Sequence, residues 1–177
     1  QAVLALHRLR AQWVKIRTQQ ANQIRGLLYE FGVVVPMGWR TLLKAATEQL
    51  TEPTGGAVPV LLRDPLLEQL QALRDATVRI DTLEKQLASW QRSEPECQRI
   101  MAIPGVGPLT ASAVVASVTD ARQFRSARQF AAYLGLVPRQ SGTGGRVKLL
   151  GISKRGDTYL RTLLIHGARS VLLSQSR

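Results

Sequence analysis

Along the first thirty residues the apolar positions Leu6, Leu9, Trp13, Ile16, Ile24, Leu27 and Phe31 recur mostly at steps of three and four, with Arg8, Arg10, Lys15, Arg17 and Arg25 between them. That period predicts a helix over residues 2–31, ended by Gly32. Residues 32–65 hold Pro36, Pro53, Gly55, Gly56 and Pro59, which predicts a connector around one shorter helix near residues 40–50. A second long helix is expected next, with Asp64 as N-cap and Pro65 in its first position. Leu66, Leu73, Ile80 and Leu87 then fall every seven residues, flanked by Leu70, Leu83 and Trp90. Such a seam lets two long helices fold back as an antiparallel, coiled-coil-like arm, and it offers a surface for self-association. A repeat of only about four heptads also suits an ordinary bundle helix.

The pattern changes near residues 93–95. Beyond Pro95 the acids dwindle to Glu96, Asp120 and Asp157, while arginine and lysine continue to the end. The chain therefore divides into a helical coiled-coil or dimerisation region over 1–93, with its connector at 32–65, and a small basic domain over 94–177. The formal charge of +12 and the pI near 11.2 favour polyanionic partners, nucleic acid first among them. No apolar run approaches the ~20 residues of a spanning helix, and no N-terminal stretch has the order of a signal peptide. Cys97 is the single cysteine, so no internal disulfide can form. These features fit a cytoplasmic protein without a membrane partner. The chain opens on Gln1 in what reads as the interior of a helix, and it is taken to be a piece of something longer.

Three segments of the basic domain carry candidate chemistry. Ile103, Pro104, Gly105, Val106, Gly107 and Pro108 join an apolar helix end to a small-residue helix, the form of a helix-hairpin-helix. Glycines 105 and 107 would let the backbone turn tightly and approach a phosphate, the next helix would offer its first amides, and Val106 would plug the core. A plain glycine turn between packed helices has the same pattern. In the second segment Phe124, Phe130, Leu134 and Leu136 can pack inward, leaving Arg122, Arg125 and Arg128 as a basic or merely solvated edge. The third runs from Arg139 and Gln140 through Ser141, Gly142, Thr143, Gly144, Gly145, Arg146, Val147 and Lys148 to Ile152, Ser153, Lys154, Arg155, Gly156 and Asp157. A hydroxyl between cations is what attack on a phosphodiester would use. A Gly-rich loop that only cradles phosphate reads the same way. His7, His166 and Cys97 are too scattered for a metal site, and no acidic cluster suggests a two-metal centre.

Taken together, Ile103-Pro-Gly-Val-Gly107, Arg128-Gln-Phe-Ala-Ala-Tyr-Leu-Gly-Leu-Val-Pro-Arg-Gln140 and Ile152-Ser-Lys-Arg-Gly-Asp-Thr-Tyr-Leu-Arg-Thr-Leu-Leu-Ile-His-Gly-Ala168 cover most of residues 100–172. In order and spacing they resemble the transposases of the insertion-sequence one-ten family, with its eleven-eleven subgroup, relatives of the Piv DNA invertases. The resemblance implies a recombinase with an N-terminal RuvC-like domain whose acidic set binds Mg2+, a coiled-coil region, and a C-terminal domain with a nucleophilic serine. Only the last two parts are matched here, so this chain alone is expected to be inactive. The resemblance also implies DNA, a noncoding bridge RNA and further copies of the protein, as dimer or tetramer, as partners. Its serine maps to Ser141, with Thr143 as the neighbouring hydroxyl, while Ser153 belongs to a different motif. Around Ser141, the cations Arg139, Arg146, Lys148, Lys154 and Arg155 become candidate nucleic-acid contacts.

The expected fold is thus mostly α, a long coiled-coil-like helical arm followed by a small basic helical domain containing a helix-hairpin-helix. The expected function is DNA transposition by an RNA-guided serine recombinase, of which this chain is the C-terminal portion. Two alternatives use the same residues: a non-enzymatic nucleic-acid-binding and dimerisation module, and a protein-interaction scaffold whose charge is only solvated.

Overall fold

The computed structural model describes residues 1–52, 56–143 and 146–175. Pro53 and Gly55 of the connector, and Gly144 and Gly145 of the serine segment, lie outside the described residues. Among the described residues there are seven α-helices and a single two-stranded sheet. The chain forms two compact units, Leu6–Lys85 on one hand and Gln1–Ala5 with Gln86–Arg177 on the other.

The helical unit contains most of α1 (Ala2–Glu30), all of α2 (Trp39–Thr51) and most of α3 (Val60–Ser93). Ile24 and Leu28 of α1, Leu42, Ala46 and Leu50 of α2, and Leu66, Leu70 and Leu73 of α3 form one buried core. Their three- and four-residue steps put each set on one helix face. The α1 and α3 helices run antiparallel, since Arg10 bonds Glu84 at 2.6 Å and Arg79 lies 4.6 Å over the ring of Trp13. The expected short helix of the connector is α2, and its Trp39 ring receives Arg17 and Arg40 at 5.2 and 4.7 Å.

The second long helix starts earlier than its sequence signals suggest. It begins at Val60, so Asp64 is not its cap and Pro65 lies inside it. Pro65 has no N–H for the carbonyl of Leu61, yet Leu61 is 86% exposed and water can satisfy that group. Arg63 donates to the carbonyls of Val58 and Glu52 at 3.2 Å each, which ties the incoming connector to this early turn. Leu66, Leu73, Ile80 and Leu87 are all buried within a single chain. The heptad seam is therefore filled by the chain's own residues and leaves no free ridge for a second copy. His7 of α1 is buried too, and desolvation, aided by the nearby Arg10 charge, lowers its pKa to about 4.

In the C-terminal unit α4 (Pro95–Met101) and α5 (Pro108–Ser117) are joined by a turn, and a single 3-10 turn (Ala121–Gln123) leads to α6 (Ala127–Tyr133). Strands β1 (Pro138–Ser141) and β2 (Lys148–Ile152) pair antiparallel, and α7 (Thr158–Gln175) closes the chain. Ala113, Leu134 and Leu160 centre a small core, with Phe130, Leu136 and Leu164 packed against it. No described helix is long and apolar enough to cross a membrane.

Candidate nucleic-acid interface

The serine segment is a hairpin rather than a free loop. Ser141 is the last residue of β1 and lies directly opposite Lys148, the first of β2, while Gln140 pairs with Leu149. Side chains directly opposite on an antiparallel ladder share a face, with Cβ atoms about 4.5–5.5 Å apart. Alternation turns Gln140 and Leu149 to the other face, and Arg139 falls at the register irregularity between Pro138 and Gln140. Every residue of both strands is exposed. Gly142 lets the chain turn here, because a Cβ on it would run into the carbonyl of Arg146.

An all-exposed hairpin cannot take its position from an apolar face, and it is held instead at its two ends. Ser153 and Lys154 donate their amides to the carbonyls of Val137 and Gly135, at 2.8 and 3.0 Å. Gly135, at φ +72°, has room for no side chain, since a Cβ would stand 2.7 Å from the carbonyl oxygen of Arg155. Lys154 itself takes a left-handed conformation at φ +54°, which costs a residue with a Cβ roughly 1–2 kcal/mol. One further group locks this joint, and sequence reading assigned it no role: buried Arg161 of α7 donates to the carbonyl of Leu134 at 2.9 Å and to the hydroxyl of Thr158 at 3.2 Å. Asp157 caps α7 by accepting from the amide of Leu160 at 2.9 Å. An arginine within an apolar helical stretch, four residues beyond a capping aspartate, was the available signal.

The hairpin's surroundings are cationic throughout. Residues 121–156 contain Arg122, Arg125, Arg128, Arg139, Arg146, Lys148, Lys154 and Arg155 and no acid at all. All eight are exposed. Arg122 pairs with Asp120 at 3.4 Å, but both side chains are largely in solvent and the pair is weak. The hydroxyl of Ser153 accepts from the amide of Arg155 at 3.4 Å, whereas Ser141 and Thr143 are exposed on the hairpin.

The glycine turn between α4 and α5 divides its two glycines. Gly105 has φ +83°, and a Cβ there would meet the carbonyl oxygen of Gly167 in α7 at 2.6 Å. Its lack of a side chain is used in packing this turn on α7. Gly107, at the start of α5, has open space where a Cβ would point, and Val106 is only half-buried. Among the described residues no three of His, Cys, Asp and Glu come together as metal ligands.

Comparison with known proteins meets this geometry at the same residues. Residues 97–177 match the model of the Transposase IS116/IS110/IS902 family. The chain is 51% identical over 176 residues to a Pseudomonas aeruginosa protein named "Probable family 20 transposase", covering 97% of this chain and 51% of that protein. It is 42% identical over 178 residues to the transposase for insertion sequence element IS1111A of Coxiella burnetii, covering 97% and 47%. To the transposase for insertion sequence element IS1328 of Yersinia enterocolitica it is 38% identical over 169 residues, covering 96% and 49%. The chain thus spans about half the length of the curated relatives it matches. The glycine turn, the cationic hairpin and the Arg161 lock all lie within the residues that match that family model.

Proposed function

We propose that this chain is the C-terminal portion of an RNA-guided DNA transposase, binding DNA and bridge RNA and supplying Ser141 as the nucleophile. The observation that carries the reading is the cross-strand placement of Lys148 opposite Ser141 on an exposed ladder. In the proposed step the Ser141 oxygen bonds to phosphorus as the bond to a sugar oxygen breaks. The serine gives up its proton, and the departing sugar oxygen takes one up as a hydroxyl. Serine is a weak nucleophile at neutral pH, so the negative charge growing on the phosphoryl oxygens needs fixed cations. Lys148 stands opposite on the ladder, Arg139 lies two residues before Ser141 on β1, and Arg146, Lys154 and Arg155 follow close by in sequence. A phosphodiester on serine keeps the energy of the broken bond, so the exchanged strand can be rejoined by the reverse attack.

The rest of the unit serves grip. The first turn of α5, with Gly107 open beside it, suits a backbone phosphate and completes a helix-hairpin-helix reading in which Gly105 and Val106 shape the turn. Magnesium belongs, by family resemblance, to a RuvC-like domain of the whole protein. Among the described residues no three of His, Cys, Asp and Glu come together as ligands. Self-association, as dimer or tetramer, has to use a surface other than the buried heptad seam. We read residues 1–93 as the arm and 94–177 as the transposase domain.

The test uses the whole protein with its RNA, magnesium and both DNA partners, trapping covalent protein–DNA adducts and mapping the attached residue. Ser141→Ala is expected to abolish adduct and recombination while salt-dependent DNA binding persists. Thr143→Ala should change either by little. An adduct on Thr143 or Ser153, or full recombination by Ser141→Ala, sinks the assignment and leaves the binding-module reading.

A further inference from the structure

The face of the hairpin turned away from Ser141 has its own concavity. Pro138 and Gln140 of β1 and Leu149 of β2 form one wall with Arg128, Gln129 and Ala132 on the other, enclosing a groove of about 550 Å³ between the sheet and α6. Ala132, Pro138 and Leu149 give its lining apolar surface, and Arg128, Gln129 and Gln140 bring hydrogen-bond donors to it. Gln129 accepts the amide of Arg125 on its Oε1 at 2.7 Å, which orients its nitrogen as the end that donates. Arg128 and Gln140 add a guanidinium and a second amide. No carboxylate lines it, and the nearest acids along the chain are Asp120 and Asp157.

We infer that this groove holds an unpaired DNA nucleotide from the strand whose phosphate is presented to the other face of the hairpin. The inference rests on the serine reading for which strand arrives, and on the groove's own chemistry for what is held. The volume falls within the ~300–1,000 Å³ of small-ligand sites, room for a nucleotide and not for a duplex. A base needs apolar contact on its face and donors at its edge, where purines and pyrimidines carry their acceptors. The groove supplies both, in a segment with eight cations and no acid to hold the attached phosphates. Ser141 and the groove sit on opposite sides of a sheet one backbone thick. A strand bent over the hairpin edge therefore places a phosphate on one side and a neighbouring base on the other. Taking that base out of its stack would give the transposase a direct reading of sequence beside the cut.

Photocrosslinking tests it, with the whole protein, its RNA, magnesium and both DNA partners. 5-Iodouracil is placed one position at a time on either side of the attacked phosphate, and crosslinked peptides are mapped. Crosslinks are expected from one or two positions beside that phosphate to peptides carrying Arg128–Ala132, Gln140 or Leu149. Arg128→Gln with Gln140→Ala should remove them, lower kcat/KM for adduct formation by about tenfold, and flatten base preference at that position, as loss of one base-edge contact does. These side chains are exposed, so the double variant leaves the core intact, and unchanged circular dichroism checks that. Groove crosslinks that come only from 5-iodouracil in the guide RNA overturn the inference. So does a Ser141 adduct formed with no groove crosslink, or a double variant with unaltered base preference. Groove crosslinks to DNA without any Ser141 adduct would uphold the groove while defeating the serine reading.

Discussion

The helical unit and the serine hairpin solve the problem of position in opposite ways. In the helical unit Leu28, Leu42, Leu70 and Leu73 have no solvent exposure, and burial of those faces dictates how α1, α2 and α3 meet. In the hairpin every strand residue is exposed, so no apolar face specifies its register. Its geometry is imposed from outside, by the backbone bonds of Ser153 and Lys154, the side-chain-free contact of Gly135 with Arg155, and the Arg161 lock. A strand pair exposed at every residue has no core of its own to set its place. The difference teaches that the motif residues flanking Ser141 hold the hairpin in place, while the residues within it are free to act.

That contrast can be broken first where burial is complete. Leu73→Ala should destabilise the chain by about 2–5 kcal/mol, lost apolar transfer plus cavity, read as a lower denaturant midpoint by circular dichroism. A loss below ~1 kcal/mol would mean that the seam is not the core described here.

Acid should come next in effect. The folded pKa of His7, about 4, lies below its ordinary 6.5, so the unfolded chain binds more protons between those values. His7 therefore contributes stability fully above pH 6.5, and that contribution is lost as pH falls toward 4, by roughly 3 kcal/mol in all. Unfolding free energy measured across that range should fall for the native chain and flatten for His7→Gln. Parallel curves would show that His7 is not the titrating group.

Arg161→Gln sharpens the comparison on the hairpin side. Losing the charged donor to the Leu134 carbonyl should cost about 1.5–3 kcal/mol. The amides of Ser153 and Lys154 should also exchange hydrogen faster, with Arg161→Lys recovering part of the protection. Equal protection in both variants would remove Arg161 from the joint. The smallest effect belongs within the hairpin itself: Val147, 65% exposed, should tolerate Thr within about 0.5 kcal/mol. A larger loss in the same denaturant titration would reveal packing on a face described here as open.

Much of this was legible in local pattern. The periods of Leu6 to Leu27 and Leu66 to Leu87, the short helix in the connector and the glycine turn before Pro108 all depend on neighbours in sequence, and each lies on or beside an observed element. The early start of α3 was missed because Asp64 and Pro65 form a good helix opening by themselves, while Arg63 reaching back to Glu52 is a contact between distant residues. The strand pair was missed because Pro138 to Ser141 has no alternation to read and its ladder forms only when Lys148 to Ile152 returns beside it.

By itself, then, the sequence determined the helices, the charge asymmetry and the family motifs, because period, composition and residue order survive without a fold. Only the tertiary structure decided which glycine serves packing and which stays open, that the heptad seam is filled within one chain, and that Ser141 faces Lys148 while Gln140 faces a groove. Those are relations between residues far apart in the chain, set by side-chain volume, strand register and backbone approach. No local propensity encodes them.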